Sequence, residues 1–286
     1  MAQADLHLHT TSSDGKLSPE QIVALAAGRG VRYLGITDHD STEGIDRALE
    51  AAKAFPNLVV IPGIEMSTDI PHAEVHVLGY CLDYHDQEFQ DHLLLLREGR
   101  VGRAKKMLEK LSKLGVRLDW ARVQELAGDG SVGRPHIAQA MVEKGYVHEF
   151  KDAFSRYIGR DGPAYADRYK MTPVEAVALI ARKGGLPVLA HPAEHPSIIE
   201  LLPPLIGAGL VGIEVYYGGY TPDVVHELLS LADDHGLIPT GGSDFHGLGG
   251  ALECEIGGTD LPLDCVLRLL DLASWKNGAM PSAASK

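Results

Sequence analysis

The residues able to do chemistry recur in a pattern. Asp5-Leu6-His7-Leu8-His9 opens the chain. Residues two apart on an extended strand face the same side, so His7 and His9 point together, as two ligands of one metal must. Asp14 follows in the loop. Further on stand Thr37-Asp38-His39-Asp40, Gly63-Ile64-Glu65, His76, Ala190-His191-Pro192 and Gly241-Gly242-Ser243-Asp244-Phe245-His246. Six histidines (His7, His9, His39, His76, His191, His246) and three carboxylates (Asp14, Glu65, Asp244) are therefore candidate metal ligands. A catalytic metal takes three or four protein ligands, so this set suggests two or three divalent metals with a carboxylate bridging two. Imidazole-rich mixed sites suit Mn, Zn or Fe better than Ca or Mg. Such a centre lowers the pKa of a bound water and binds the oxyanion that develops during attack, which points to hydrolysis. A covalent serine or cysteine mechanism finds no support, since no G-x-S-x-G elbow, P-loop or dinucleotide fingerprint stands at a strand–helix junction.

Elements must bring these residues together. Short apolar segments predict seven strands, at 4–8, 33–37, 58–63, 74–80, 187–190, 211–216 and 238–242, alternating with amphipathic helices. Ser18-Pro19-Glu20, Thr172-Pro173-Val174-Glu175 and Thr221-Pro222-Asp223 each carry a helix start: a capping hydroxyl, then proline, then a carboxylate. Alternation of strand and helix implies a parallel α/β sheet, open or closed. In such folds the C-terminal strand ends share one face, and the candidate ligands fall at those ends. His76 is the exception, inside its strand. Residues 58–80 leave no room for a crossover helix, so a hairpin is expected there. Residues 86–170 read as a helical insertion and 277–286 as a loose tail.

The chain has 286 residues, 45% of them hydrophobic, and a formal net charge of −13. That acidity excludes long polyanions as partners unless a local basic patch exists. Arg100, Arg103, Lys105 and Lys106 come nearest to one and are expected to form a solvated helix face. Three cysteines, Cys81, Cys254 and Cys265, make neither a disulfide framework nor a thiolate zinc site. With no leader-like start and no apolar run long enough for a bilayer, the expectation is a soluble cytoplasmic protein.

As a set, Asp5-Leu6-His7-Leu8-His9-Thr10, Thr37-Asp38-His39-Asp40, Gly63-Ile64-Glu65, Ala190-His191-Pro192 and Ser243-Asp244-Phe245-His246 resemble the motifs of the PHP (polymerase and histidinol phosphatase) family. The resemblance implies a distorted seven-stranded (β/α)7 barrel formed by 1–85 and 171–276, with 86–170 as a cap. It also implies a trinuclear metal site and phosphoester hydrolysis, with metal-bound hydroxide attacking phosphorus in line. It assigns His7, His9, Glu65 and Asp244 to a first metal, Glu65, His76 and His191 to a second, and Asp14, His39 and His246 to a third. His7, His9, Glu65, His191 and Asp244 would carry catalysis. The likeness is greatest to small stand-alone phosphoesterases acting on nucleoside 3′,5′-bisphosphates such as pAp, on monophosphates such as AMP, or on short RNA ends. Gly133-Arg134-Pro135-His136-Ile137-Ala138 resembles their insertion motif and implies that Arg134 and His136 bind a substrate phosphate. In one respect the chain departs. His191-Pro192-Ala193-Glu194-His195-Pro196 lacks the arginine that bisphosphate-specific relatives often have there, which leaves a monophosphate open. The expected partner is a small phosphorylated molecule, with no membrane and no long duplex nucleic acid; the oligomeric state stays open. Histidinol-phosphate phosphatase, an amidohydrolase-type metallohydrolase and a non-catalytic metal-binding module are the alternatives.

Overall fold

The computed structural model describes residues 3–71, 73–128, 131–194, 198–249 and 253–277. Seven strands form one sheet in chain order: β1 (Ala4–Asp5), β2 (Tyr33–Ile36), β3 (Val59–Ile70), β4 (Ala73–Tyr80), β5 (Leu186–Leu189), β6 (Gly212–Tyr217) and β7 (Ile238–Gly242). The sheet curls until its edges meet. Leu6 N donates to Gly241 O at 3.1 Å, Asp244 N to His7 O at 2.9 Å and His9 N to Phe245 O at 3.1 Å. A nearly closed α/β barrel results. All four residues of β5 are buried, as strands covered on both faces must be.

Two differences from the expected strands matter for the site. The first strand is regular only over Ala4–Asp5, and residues 6–9 continue as an irregular stave. Backbone groups there bond to both sides, with Thr37 N donating to Leu8 O at 3.0 Å. The third strand runs on to Ile70, so Glu65 sits in mid-strand and the expected hairpin is long. β4 pairs antiparallel with both β3 and β5, whereas every other neighbouring pair is parallel. The N-terminal half of a reversed strand lies at the C-terminal end of its neighbours. His76 is therefore level with Ser67, and its carbonyl accepts from Ala190 N at 3.1 Å. Its place inside the fourth strand is what brings it to the same face as the other ligands.

Helices surround the barrel: α1 (Pro19–Gly28), α2 (Ile45–Ala52), α3 (Gln87–Lys113), α4 (Trp120–Ala127), α5 (Arg134–Glu143), α6 (Phe150–Ala153), α7 (Pro173–Arg182), α8 (Ile198–Ala208), α9 (Pro222–Asp234) and α10 (Leu263–Asn277). The hydroxyls of Ser18, Thr172 and Thr221 cap α1, α7 and α9 as the sequence predicts. α3 spans two cores. Phe89, Leu93 and Leu96 pack on the barrel with Met66, Val75 and Ile180. Beyond them Met107 and Leu111 join Val123, Ile137, Met141 and Ile158 in a second apolar cluster, whose described buried members lie within 104–166. Among the described residues, 86–170 contain no strand. Arg100 and Arg103 depart from the expected solvated face: both are buried, while Lys105 and Lys106 are exposed. Of the expected tail, Asn277 ends α10 and 278–286 lie outside the described residues. Among the described residues, no helix is long and apolar enough to cross a membrane.

Candidate metal centre

All nine candidate ligands converge at the C-terminal end of the parallel strands, and Glu65 is the hub. Its Oε1 lies 2.8 Å from His76 Nδ1 and 3.1 Å from His191 Nε2. Its Oε2 lies 3.4 Å from His7 Nε2, 3.2 Å from His9 Nε2 and 3.0 Å from His39 Nδ1. Asp244 Oδ1 reaches His7 Nε2 at 3.3 Å and His9 Nε2 at 3.0 Å. Asp14 lies 3.3 Å from His246 Nε2, 3.7 Å from His9 Nδ1 and 3.9 Å from His39 Nε2. Three sets of donor atoms are close enough to share an ion: His7, His9, Glu65 and Asp244; His39, Glu65 and His76; His9, Asp14, His39 and His246.

The donor chemistry fits divalent metals. His7 Nε2, His9 Nε2, Asp14 Oδ1, His39 Nδ1, Glu65 Oε2 and Asp244 Oδ1 are buried with no hydrogen-bond partner. Buried polar atoms are nearly always satisfied, so six such atoms facing one another need a cation between them. Donors held at 2.0–2.2 Å around one ion stand roughly 3 Å apart, the separation seen here. Backbone strain marks the same place. Asp40, His191 and Asp244 have positive φ (50°, 26° and 54°), a conformation that costs non-glycine residues energy and recurs at functional sites.

Electrostatics bind the cluster together. Burial alone would raise the Glu65 carboxyl, but His39, His76 and His7 hold it well below its ordinary range. Burial pulls His7 down, and the carboxylates of Glu214, Asp244 and Glu65 more than offset this. His39 is lowered to about 3, chiefly by burial, and so offers a neutral imidazole.

Several supporting residues carried no role in the sequence reading. Glu214 Oε1 meets His7 Nδ1 at 3.0 Å and its Oε2 accepts from His191 N at 2.8 Å. A carboxylate behind a ligating histidine fixes the ring and leaves its other nitrogen for metal. Tyr217 OH donates to Asp244 Oδ2 at 2.9 Å. Asp38 gathers Thr10 N (2.7 Å), Thr10 Oγ1 (2.7 Å) and Ser13 Oγ (2.6 Å), shaping the loop that carries Asp14. Gly242 lets β7 approach: a Cβ there would come within 2.4 Å of His7 Cβ. The signal for Glu214 was a lone carboxylate in an apolar strand, Gly212-Ile213-Glu214-Val215.

The two residues expected to bind substrate border this centre. Arg134 Nη2 pairs with Glu74 at 2.6 Å, and Glu74 lies 3.9 Å from His76 Nε2. His136 is buried, and its Nδ1 accepts from Gly133 N at 2.9 Å, leaving the proton on Nε2. Burial lowers it to about 4, so it stays neutral. It lines a cleft of about 550 Å³ with Ser12, Ser13, Gly15, Lys16 and Leu126. Glu194, in the stretch that lacks the expected arginine, sits 3.2 Å from His191 Nδ1; His195 and Pro196 lie outside the described residues.

Known proteins resemble this chain in sequence and in fold. The family model of the PHP domain matches residues 5–157. The 3′,5′-nucleoside bisphosphate phosphatase of Chromobacterium violaceum is 34% identical over 278 residues, covering 93% of this chain and 94% of that one. The 5′-3′ exoribonuclease Rnm of Salmonella typhimurium is 35% identical over 247 residues, 85% of this chain and 84% of that protein. A solved structure from Bifidobacterium adolescentis, described as a metal-dependent phosphoesterase, superposes with a TM-score of 0.85 at 30% identity and covers 94% of this chain and 96% of its own. The chain belongs to the PHP domain family and is a metal-dependent phosphoesterase.

Proposed function

We propose that the protein releases phosphate from a small nucleotide: a 3′,5′-bisphosphate such as pAp, a monophosphate such as AMP, or the end of a short RNA. The observation that carries this is the convergence of six unpartnered buried donor atoms, with the Arg134–Glu74 pair beside His76 and a cleft lined by Ser12, Ser13 and His136 close to the Asp14 loop. The names of the bisphosphate phosphatase and exoribonuclease relatives support the nucleotide class.

The centre would hold two or three ions of Mn, Zn or Fe. His7, His9, Glu65 and Asp244 would take the first; Glu65 would bridge to a second with His76 and His191; Asp14, His39 and His246 would take the third. The donor groupings support the first set as it stands, while His9 and His39 each lie close enough to serve two. Bound metals would supply an acidified water and neutralise phosphoryl oxygens. The chain's own contribution is placement. Glu214 sets the His7 ring and the His191 backbone, and Tyr217 holds Asp244. His136, with its proton fixed on Nε2, donates to a phosphate oxygen without changing charge near neutral pH. Residues 86–170 act as a cap on a barrel of 1–85 and 171–276, tied down by Arg100–Asp40, Arg134–Glu74 and Arg160–Asp69. Three free cysteines suit a reducing, cytoplasmic setting.

The test is phosphate release by Mn²⁺-loaded protein from pAp, AMP, 5′-phosphorylated short RNA and histidinol phosphate. Release from a nucleotide, lost on chelation and in His9→Ala, is expected. Bound metal with no release from any of the four would overturn the reading.

A further inference from the structure

His246 stands past the end of β7, beyond the regular pairing of the sheet. Its neighbour Phe245 is still tied to the first stave, its carbonyl accepting from His9 N at 3.1 Å. From His246 onward the chain winds around one side chain, Glu253. Glu253 Oε1 accepts from His246 N at 2.9 Å and from Leu248 N at 3.0 Å, and its Oε2 accepts from Gly249 N at 2.8 Å. Gly247 and Gly249 have left-handed φ (72° and 70°). Left-handed residues set among ordinary ones turn successive N–H groups to one side, a concavity that takes an anion. The anion it holds is the chain's own carboxylate. Hydrogen bonds to an ionised acceptor are roughly twice as strong as neutral ones, so three of them fix this turn firmly.

The turn ends on a candidate ligand. One of the N–H groups held by Glu253 belongs to His246 itself, and the His246 carbonyl accepts from Lys16 N at 2.7 Å. The peptide groups on both sides of the His246 Cα are thereby anchored, and with them the direction of its side chain. The ring is oriented as well. Its Nδ1 donates to Asp244 O at 2.9 Å, which leaves the lone pair on Nε2, 3.3 Å from Asp14 Oδ1. The bond from Lys16 also locks this turn to the loop that carries Asp14. Two interlocked loops therefore face each other across the Asp14–His246 pair, one gathered around Asp38 and the other around Glu253.

We propose that Glu253 is a positioning residue for the third metal: it presets His246 opposite Asp14, so that the ion meets donors already in place. This rests on the three-ion form of the reading above and assigns a role to a residue outside the donor set. Its loss weakens that one ion. The other two draw on His7, Glu65, His76, His191 and Asp244, none of whose described hydrogen bonds involves Glu253.

The experiment loads the wild type, Glu253→Ala, Glu253→Gln and His246→Ala with Mn²⁺, dialyses each against graded chelator and counts the metal bound per chain. Glu255→Gln, a change to an exposed carboxylate paired with Arg29, controls for substitution in the same segment. His246→Ala removes a donor and so identifies the third equivalent. In Glu253→Ala that same equivalent leaves at about tenfold lower chelator or less, as for other groups that orient a metal-binding histidine, while the remaining equivalents and the circular dichroism match the wild type. Glu253→Gln keeps one acceptor oxygen and falls between the two, and Glu255→Gln behaves as the wild type. Retention of every equivalent in Glu253→Ala overturns the proposal. Equal weakening of all equivalents also overturns it, and makes Glu253 a brace for the whole end of the barrel. If His246→Ala loses no equivalent that the wild type holds, no third ion is bound there and the proposal falls with the three-ion form, while two bound ions leave the phosphoesterase reading standing. A wild type that binds no metal ends the metal-centre reading itself, and the proposal with it.

Discussion

Glu214 shows what a single residue contributes behind the metal ligands. It touches no substrate position, yet it holds the His7 ring with one oxygen and the His191 backbone with the other. Replacing it by glutamine keeps the size and one acceptor but removes the charge behind His7. The expected result is metal affinity or activity lower by about 10–100-fold with the fold retained, as for other partners of ligating histidines. Metal content after dialysis against a graded chelator, with circular dichroism as the fold check, measures it. Retention equal to wild type would show that His7 needs no such support. At this scale the donor set itself was legible, because histidine and aspartate or glutamate at strand ends are unusual enough to notice. Glu214 and Tyr217 were not, for a reason of register. Residues three apart on a regular strand face opposite sides. A register shift between Glu214 and Tyr216 turns the strand, so that Glu214 and Tyr217 both reach the centre.

At the scale of elements, α3 shows why periodicity stops short. Its spacing predicts a helix and separates its faces, but it does not say which face meets the barrel. Lys105 and Lys106 point outward as expected; Arg100 and Arg103 point in. The reversal of β4 was legible and its extent was not. The short gap after β3 predicted a hairpin, while the added length of β3, which puts Glu65 in mid-strand, needed the pairing from Gly63↔Tyr80 to Ile70↔Ala73 to be seen. The joint between α3 and the barrel is Asp40, which accepts from Arg100 and from Ser67 N at 2.9 Å. Asp40→Asn removes the carboxylate that Arg100 and Arg168 both meet, and breaking such a buried pair from one side costs about 3–5 kcal/mol. Urea denaturation of the chelated protein should show a loss of that order. A variant as stable as wild type would mean that Glu74 or solvent already balances these arginines.

The whole molecule couples its metals to protons, and the sign of that coupling can be worked out. Burial pulls His191 and His246 down, but Glu194 and Glu65 beside the one, and Asp14 and Asp244 beside the other, outweigh it and leave both at about 10, against an ordinary 6.5. A histidine raised on folding contributes stability that is complete below its unfolded value and is lost as pH rises through the folded value. Glu65 and Asp14, held well below their ordinary range, contribute above that range and lose their contribution in acid. The metal-free protein should therefore lose stability as pH climbs from about 6.5 toward about 10. The metal-loaded protein should behave in the opposite way over the lower part of that window. Metals bind deprotonated imidazole, so rising pH removes the competing protons and tightens binding. Melting curves taken with chelator and with Mn²⁺ between pH 6 and pH 8 should diverge, the loaded curve rising while the chelated one holds or falls. Proton release on metal addition, seen as buffer-dependent heats in calorimetry, is the companion observation. Parallel curves and buffer-independent heats would mean that the histidines are already neutral before metal arrives. The close carboxylate contacts of His7, His191 and His246 would then not be ion pairs, and the centre would be assembled for metal without protons holding it together first.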